Sequence, residues 1–152
     1  MAAETTVRLV FGSGVALVDL VHEAAERLAG VAGFDEDDSL SVAIAVREAV
    51  INAVAHGNRN DPGRKVDVAL KVIRDGIEAR VRDEGNGFDP AATPDPTVGD
   101  NLLKTTGRGL LLMRAFVDDV AFRFRQGRGM ELLLVKRHGE RKPIVLRHAT
   151  RG

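Results

Sequence analysis

Three side chains that can do chemistry recur at every fourth position in one short stretch, VREAVINAVAHGN: the carboxylate of Glu48, the amide of Asn52 and the imidazole of His56. A step of four residues advances about 40° beyond a full helical turn, so on a helix all three would project from one slowly drifting stripe. A carboxylate, an amide and an imidazole in one such stripe can line one site. A plainer reading also fits, in which Glu48 is solvated and His56 with Gly57 marks a helix end, the cation suiting the dipole and the glycine a left-handed position. The neighbours Val46, Ala49, Val50, Ile51, Ala53, Val54 and Ala55 leave almost no other polar surface on this segment. Only the stripe is left to meet water or a ligand.

Two glycine-rich clusters accompany it, DEGNGF at 83–88 and TGRGL at 106–110. Each alone is ordinary turn punctuation. Glycines around Arg108 at a helix start, however, leave backbone N–H groups open to an anion such as a phosphate. Other signatures fail. GDNLLKT at 99–105 has Leu103 where a phosphate loop needs its second glycine, GSG at 12–14 lacks the third glycine of a dinucleotide site, and Glu26 stands where a zinc motif beginning at His22 and Glu23 requires histidine. No serine–histidine–aspartate triad can be assembled.

The elements that must position these clusters follow from hydrophobic period. An alternating strand at Thr5–Val10 precedes a helix carried by Val15, Leu17, Val18, Leu20, Val21, Ala24, Ala25 and Leu28, broken at Gly30–Gly33. Asp37, Asp38 or Ser39 is expected to cap a long second helix ending near Gly57. KVDVALKVI, the turn RDG and IEARVRD read as a β-hairpin. Residues 84–106 form an unusually long connection holding three of the five prolines. A helix over GRGLLLMRAFVDDV and a last hairpin around Gln126–Gly129 follow, and residues 138–152 are expected to form a basic extension, solvated, in contact with a partner, or equally well without fixed structure. This order excludes a doubly wound parallel sheet and points to an α+β two-layer sandwich, a mixed or mostly antiparallel sheet with helices on one face.

Bulk composition sets the limits. A chain of 152 residues with 44% hydrophobic content is one domain with a core of its own. Lys+Arg and Asp+Glu balance at 22 each, which removes the electrostatic argument for direct nucleic-acid or membrane binding. No unbroken apolar run approaches the roughly 18 residues of a membrane span. There is no cysteine, hence no disulfide and no thiolate chemistry, and with no evident signal peptide the default expectation is a cytoplasmic protein.

E-x-x-x-N on a helix, D-x-G-x-G-F after a strand and G-x-G-L at a helix start, in this order, resemble the GHKL ATPases: gyrase-type topoisomerases, heat-shock chaperones, mismatch-repair ATPases and histidine-kinase catalytic domains. The wording REAVINAVAHGN, the strand order and GRGLLLM are similar, within that group, to the bacterial anti-sigma factor serine/threonine kinases, over roughly residues 5–137. The resemblance implies a Bergerat-type ATP-binding domain at 1–137, with ATP and Mg²⁺ as cofactors. It implies Glu48 as general base, Asn52 as Mg²⁺ ligand, Asp83 as adenine reader beside Gly85 and Gly87, and Gly107, Arg108 and Gly109 as lid and phosphate contacts, with Lys104 a weaker phosphate candidate; His56 is structural or supports the site from behind. It further implies a sigma factor and a STAS-domain antagonist as partners, and a homodimer. The family's last hairpin often carries Gly-Thr, whereas here Met130 follows Gly129 and cannot supply the hydroxyl. A nucleotide-responsive sequestering protein without phosphoryl transfer is the rival reading. A histidine-kinase catalytic domain fits less well, since His22 lies in a lone helix and not in a helical hairpin.

Overall fold

The computed structural model describes residues 5–85, 109–125 and 129–139. Strand β1 (Thr6–Gly12) is followed by a single 3-10 turn (Val15–Leu17), helix α1 (Val18–Val31) and helix α2 (Glu36–Asn52), which continues as a π-helical turn (Ala53–Gly57). Strands β2 (Lys65–Ile73) and β3 (Gly76–Asp83) form a hairpin. Helix α3 (residues 109–116) leads into the hairpin of β4 (Asp119–Arg125) and β5 (Gly129–Arg137).

The five strands lie in the order β1-β2-β3-β5-β4, every pair antiparallel. Alternation fills one face with apolar rows that run across the sheet. Leu9, Val68, Val81, Leu132 and Phe122 are successive partners in one row, and Val7, Leu70, Ala79, Leu134 and Val120 in the next. α1 and α2 cover this face with Val21, Ala25, Val42, Val46, Ala49 and Val50, all buried. From α3, Leu110 and Met113, with Val117 just past its end, close the core, while Leu111 stays exposed. The opposite face carries charge: Arg8 pairs with Asp67, and Arg80 and Arg82 converge on Glu131. One apolar and one charged face make the two-layer sandwich expected from element order.

Local differences from the sequence reading have physical causes. The cap of α2 is Asp35, earlier than any of the three candidates; its carboxylate accepts from the Asp38 N–H at 2.8 Å, which leaves Glu36, Asp37 and Asp38 in the first turn at the positive end of the dipole. α1 runs through Gly30 to Val31 before Gly33 turns the chain at φ +99°. Counting unbroken apolar runs also missed that the helix Glu36–Gly57 is long and apolar enough to cross a membrane by length and composition alone. Its buried alanines and valines are those of a core helix.

Candidate nucleotide site

Inward rows along the sheet should all be apolar, and the third is not. Phe11 pairs with Val66 and Val66 with Asp83, so a carboxylate occupies a position that the pattern reserves for the core. Asp83 is only 8% exposed. Burial pushes its carboxyl pKa up, opposed by N–H donation from Met130 and Gly85 and by the charge of Arg64. Both of those donors use one oxygen: Oδ1 accepts from the Gly85 N–H at 3.0 Å and from the Met130 N–H at 3.1 Å. Oδ2 faces Gly57 at the end of α2.

Backbone surrounds that carboxylate because glycines leave room for it. A Cβ on Gly57 would overlap Asp83 Oδ2, and one on Gly85 would overlap the Gly57 carbonyl. A Cβ on Gly129 would overlap the Asp83 carbonyl, and Gly129 also holds φ at +93°, where L side chains are strained. Gly57 therefore serves by its size and not by a left-handed conformation. It reaches Asp83 because α2 ends in a π turn, with the Asn58 N–H donating to the Ala53 carbonyl at 2.8 Å. Such turns widen a helix by one residue and recur at functional sites.

About 8 Å back along the same helix lies the stripe read from the sequence. Glu48 and Asn52 are half-buried, and the first turn of α3 starts against them: a Cβ on Gly109 would stand 3.2 Å from Glu48 Oε2, 3.5 Å from Asn52 Nδ2 and 3.7 Å from Asn52 Oδ1. His56 falls in the π turn and is exposed. Of the nine site residues named above, Glu48, Asn52 and Gly109 come together, and Asp83 and Gly85 meet at the end of the same helix. Gly87, Lys104, Gly107 and Arg108 lie outside the described residues.

The residues 13–136 match the family model of the histidine kinase-like ATPase domain. The chain belongs to that family. Its relatives include the anti-sigma F factor of Geobacillus stearothermophilus, 31% identical over 71% of this chain and 75% of that protein. The anti-sigma F factor of Geobacillus thermodenitrificans (strain NG80-2) is 35% identical over 71% of this chain and 75% of that one. The serine-protein kinase RsbW of Bacillus subtilis (strain 168) is likewise 35% identical, over 66% of this chain and 68% of its own length.

Four members of the site were not assigned by sequence reasoning: Gly57, Asn58, Gly129 and the backbone N–H of Met130. Gly57 and Asn58 lie inside the wording REAVINAVAHGN, where the glycine has the signature of a helix end. Met130 lacks the hydroxyl expected at its position, and what it contributes is a main-chain donor that any residue but proline supplies.

Proposed function

We propose that this protein is an anti-sigma factor and an ATP-dependent serine/threonine protein kinase, which binds a sigma factor and phosphorylates a STAS-type antagonist on a hydroxyl. The observation that carries the nucleotide reading is the buried Asp83, with one oxygen held by main-chain donors and the other facing Gly57, at the end of the helix that bears Glu48 and Asn52. Asp83 Oδ2 accepts from the exocyclic amino group of adenine, while Gly57, Gly85 and Gly129 let backbone close around the base. The triphosphate then runs back along α2 toward Asn52 and the start of α3, whose first N–H groups favour anions.

The donor set suits magnesium held largely by phosphate and water: the Asn52 amide is a hard, neutral oxygen ligand, and Glu48 stands beside it. Bound there, Mg²⁺ would neutralise charge on the phosphates. Glu48 accepts the proton of the incoming serine or threonine hydroxyl as its oxygen bonds to the γ-phosphorus and the bond to the β–γ bridging oxygen breaks. Positioning and charge neutralisation supply most of the acceleration in such transfers. Gly107, Arg108 and, more weakly, Lys104 are assigned to the phosphates and Gly87 to the base by the family motif alone. The proposal includes a cytoplasmic homodimer that touches neither membrane nor nucleic acid, with residues 138–152 as an extension of the ATPase domain.

The rival reading, a sequestering module that binds nucleotide without transferring phosphate, is not favoured. Glu48 and Asn52 are both present, and Met130 still supplies its N–H to Asp83. The test is incubation of the purified protein with Mg·ATP and STAS-domain proteins of the same genome, followed by intact-mass measurement. One phosphoryl group gained on a hydroxyl of one antagonist supports the kinase; nucleotide binding with no mass gain on any antagonist supports the rival.

A further inference from the structure

Asn58 is fully buried, and all the hydrogen-bonding capacity that its side chain uses goes to three different strand ends. Its Nδ2 donates to the Ser13 Oγ at 2.7 Å and to the Lys65 carbonyl at 2.9 Å, and its Oδ1 accepts from the Glu84 N–H at 2.8 Å. Ser13 passes the connection on, its Oγ donating to the Arg64 carbonyl at 2.9 Å. The Glu84 carboxylate accepts from the Lys65 N–H, which closes the cluster. One amide thus joins the exit of β1, the entry of β2 and the exit of β3 to the π turn of α2.

The ladder stops where this cluster begins. β3 pairs with β5 only as far as Arg82 with Glu131, and with β2 only as far as Asp83 with Val66. Glu84 is the next residue, in register with Lys65, but the Asn58 amide stands between them: the Glu84 N–H goes to Asn58 Oδ1 while Nδ2 takes the Lys65 carbonyl. We infer that Asn58 is the positioning residue of the base site: its Oδ1 extends the ladder by one bond past Asp83 and so fixes the angle at which that carboxylate faces the base. This rests on the nucleotide reading above. Asn58 touches no nucleotide and acts through Glu84 and Asp83.

Two variants separate positioning from mere support of the fold. Asn58→Asp keeps an acceptor for the Glu84 N–H and removes both donors; Asn58→Leu fills similar volume and removes the acceptor as well. Amide exchange in nucleotide-free protein is the first readout. In Asn58→Leu, Glu84, Gly85 and Met130 should exchange about tenfold or more faster, while Ile77–Ala79 at the far end of β3 stay within about threefold. Relative affinity for Mg·ATP over Mg·ITP is the second, since inosine lacks the amino group that Asp83 would read. That preference should fall at least about tenfold in Asn58→Leu and stay within about threefold of the unmodified protein in Asn58→Asp. A folded Asn58→Leu protein with unchanged exchange at Glu84, Gly85 and Met130 and an unchanged preference overturns the inference. Should Asn58→Leu not fold, Asn58→Asp decides: a retained preference supports positioning by the acceptor, and a collapsed one overturns it. If the unmodified protein binds neither nucleotide, the functional reading fails separately, and exchange alone judges the strut.

Discussion

Glycine brings backbone close at both ends of this sheet, but against different things. At the β2–β3 turn a Cβ on Gly76 would overlap the carbonyl of Lys136, so the glycine there lets one strand lie on another. The turn is held by ordinary surface means: Arg137 pairs with Asp119 and Asp75, and the His138 ring stacks on Phe34 at 4.1 Å between centroids. At the opposite end, Gly57, Gly85 and Gly129 close around the Asp83 carboxylate. A fold gains nothing from an acid in the third inward row, and burial costs it the solvation of that charge. Same residue type and same steric device, yet at one end it lets strands pack and at the other it lets backbone close on a buried carboxylate.

Substitutions can break that contrast, the largest effects coming from the ligand end. Glu48→Ala should lower phosphoryl transfer at least ~100-fold, in line with loss of a general base, and leave nucleotide affinity within about threefold, read by intact mass and calorimetry. Gly57→Ala should weaken Mg·ATP binding about tenfold or more, because the new methyl displaces Asp83 Oδ2. Gly76→Ala should do the reverse, costing about 2–4 kcal/mol of stability in denaturant titration while the preference for ATP over ITP stays as it was.

Asp83→Asn sharpens the comparison through pH. A carboxyl whose folded pKa is raised binds its proton more tightly folded than unfolded, so its contribution is fully present below the unfolded pKa and lost as pH rises through the folded value. At neutral pH the charge therefore works against the fold. Asp83→Asn keeps an oxygen for the Gly85 and Met130 N–H groups, and it should melt a few degrees higher near pH 7 while losing adenine preference. Asp67 on the charged face has the opposite sign, its pKa lowered by hydrogen bonding to Arg8, with burial opposing. Its contribution is present above the unfolded pKa and lost as pH falls through the folded one. Asp67→Asn should flatten the acid limb of the stability curve slightly and change nothing at the site, the smallest effect of the set because the pair is solvated.

How much of this was legible beforehand divides along the same line. Periodicity in Val66, Val68 and Leu70 and in Ile77, Ala79 and Val81 placed the central hairpin, because alternation and burial are local properties of a strand. The four-residue spacing of Glu48 and Asn52 likewise survives folding, since α-helical geometry holds from one to the other. His56 is exposed where the helix ends, and nothing in AVAHG announces the i to i+5 bond from the Asn58 N–H to the Ala53 carbonyl. Gly57, Asn58 and Gly129 gain their meaning only from what the sheet brings to them, at separations of 26 residues for Asn58 and Glu84. Their sequence signals were those of turns.

We propose that the base is held by Asp83 at the end of α2, whereas Glu48, further back on the same helix, serves phosphoryl transfer and not binding. Calorimetric titration of Mg·ATP into the unmodified protein, Glu48→Ala and Asp83→Ala tests it most directly. The account predicts heat and comparable affinity for the first two and at least about tenfold weaker binding for Asp83→Ala. Undiminished binding by folded Asp83→Ala, or no binding by the unmodified protein, would contradict it.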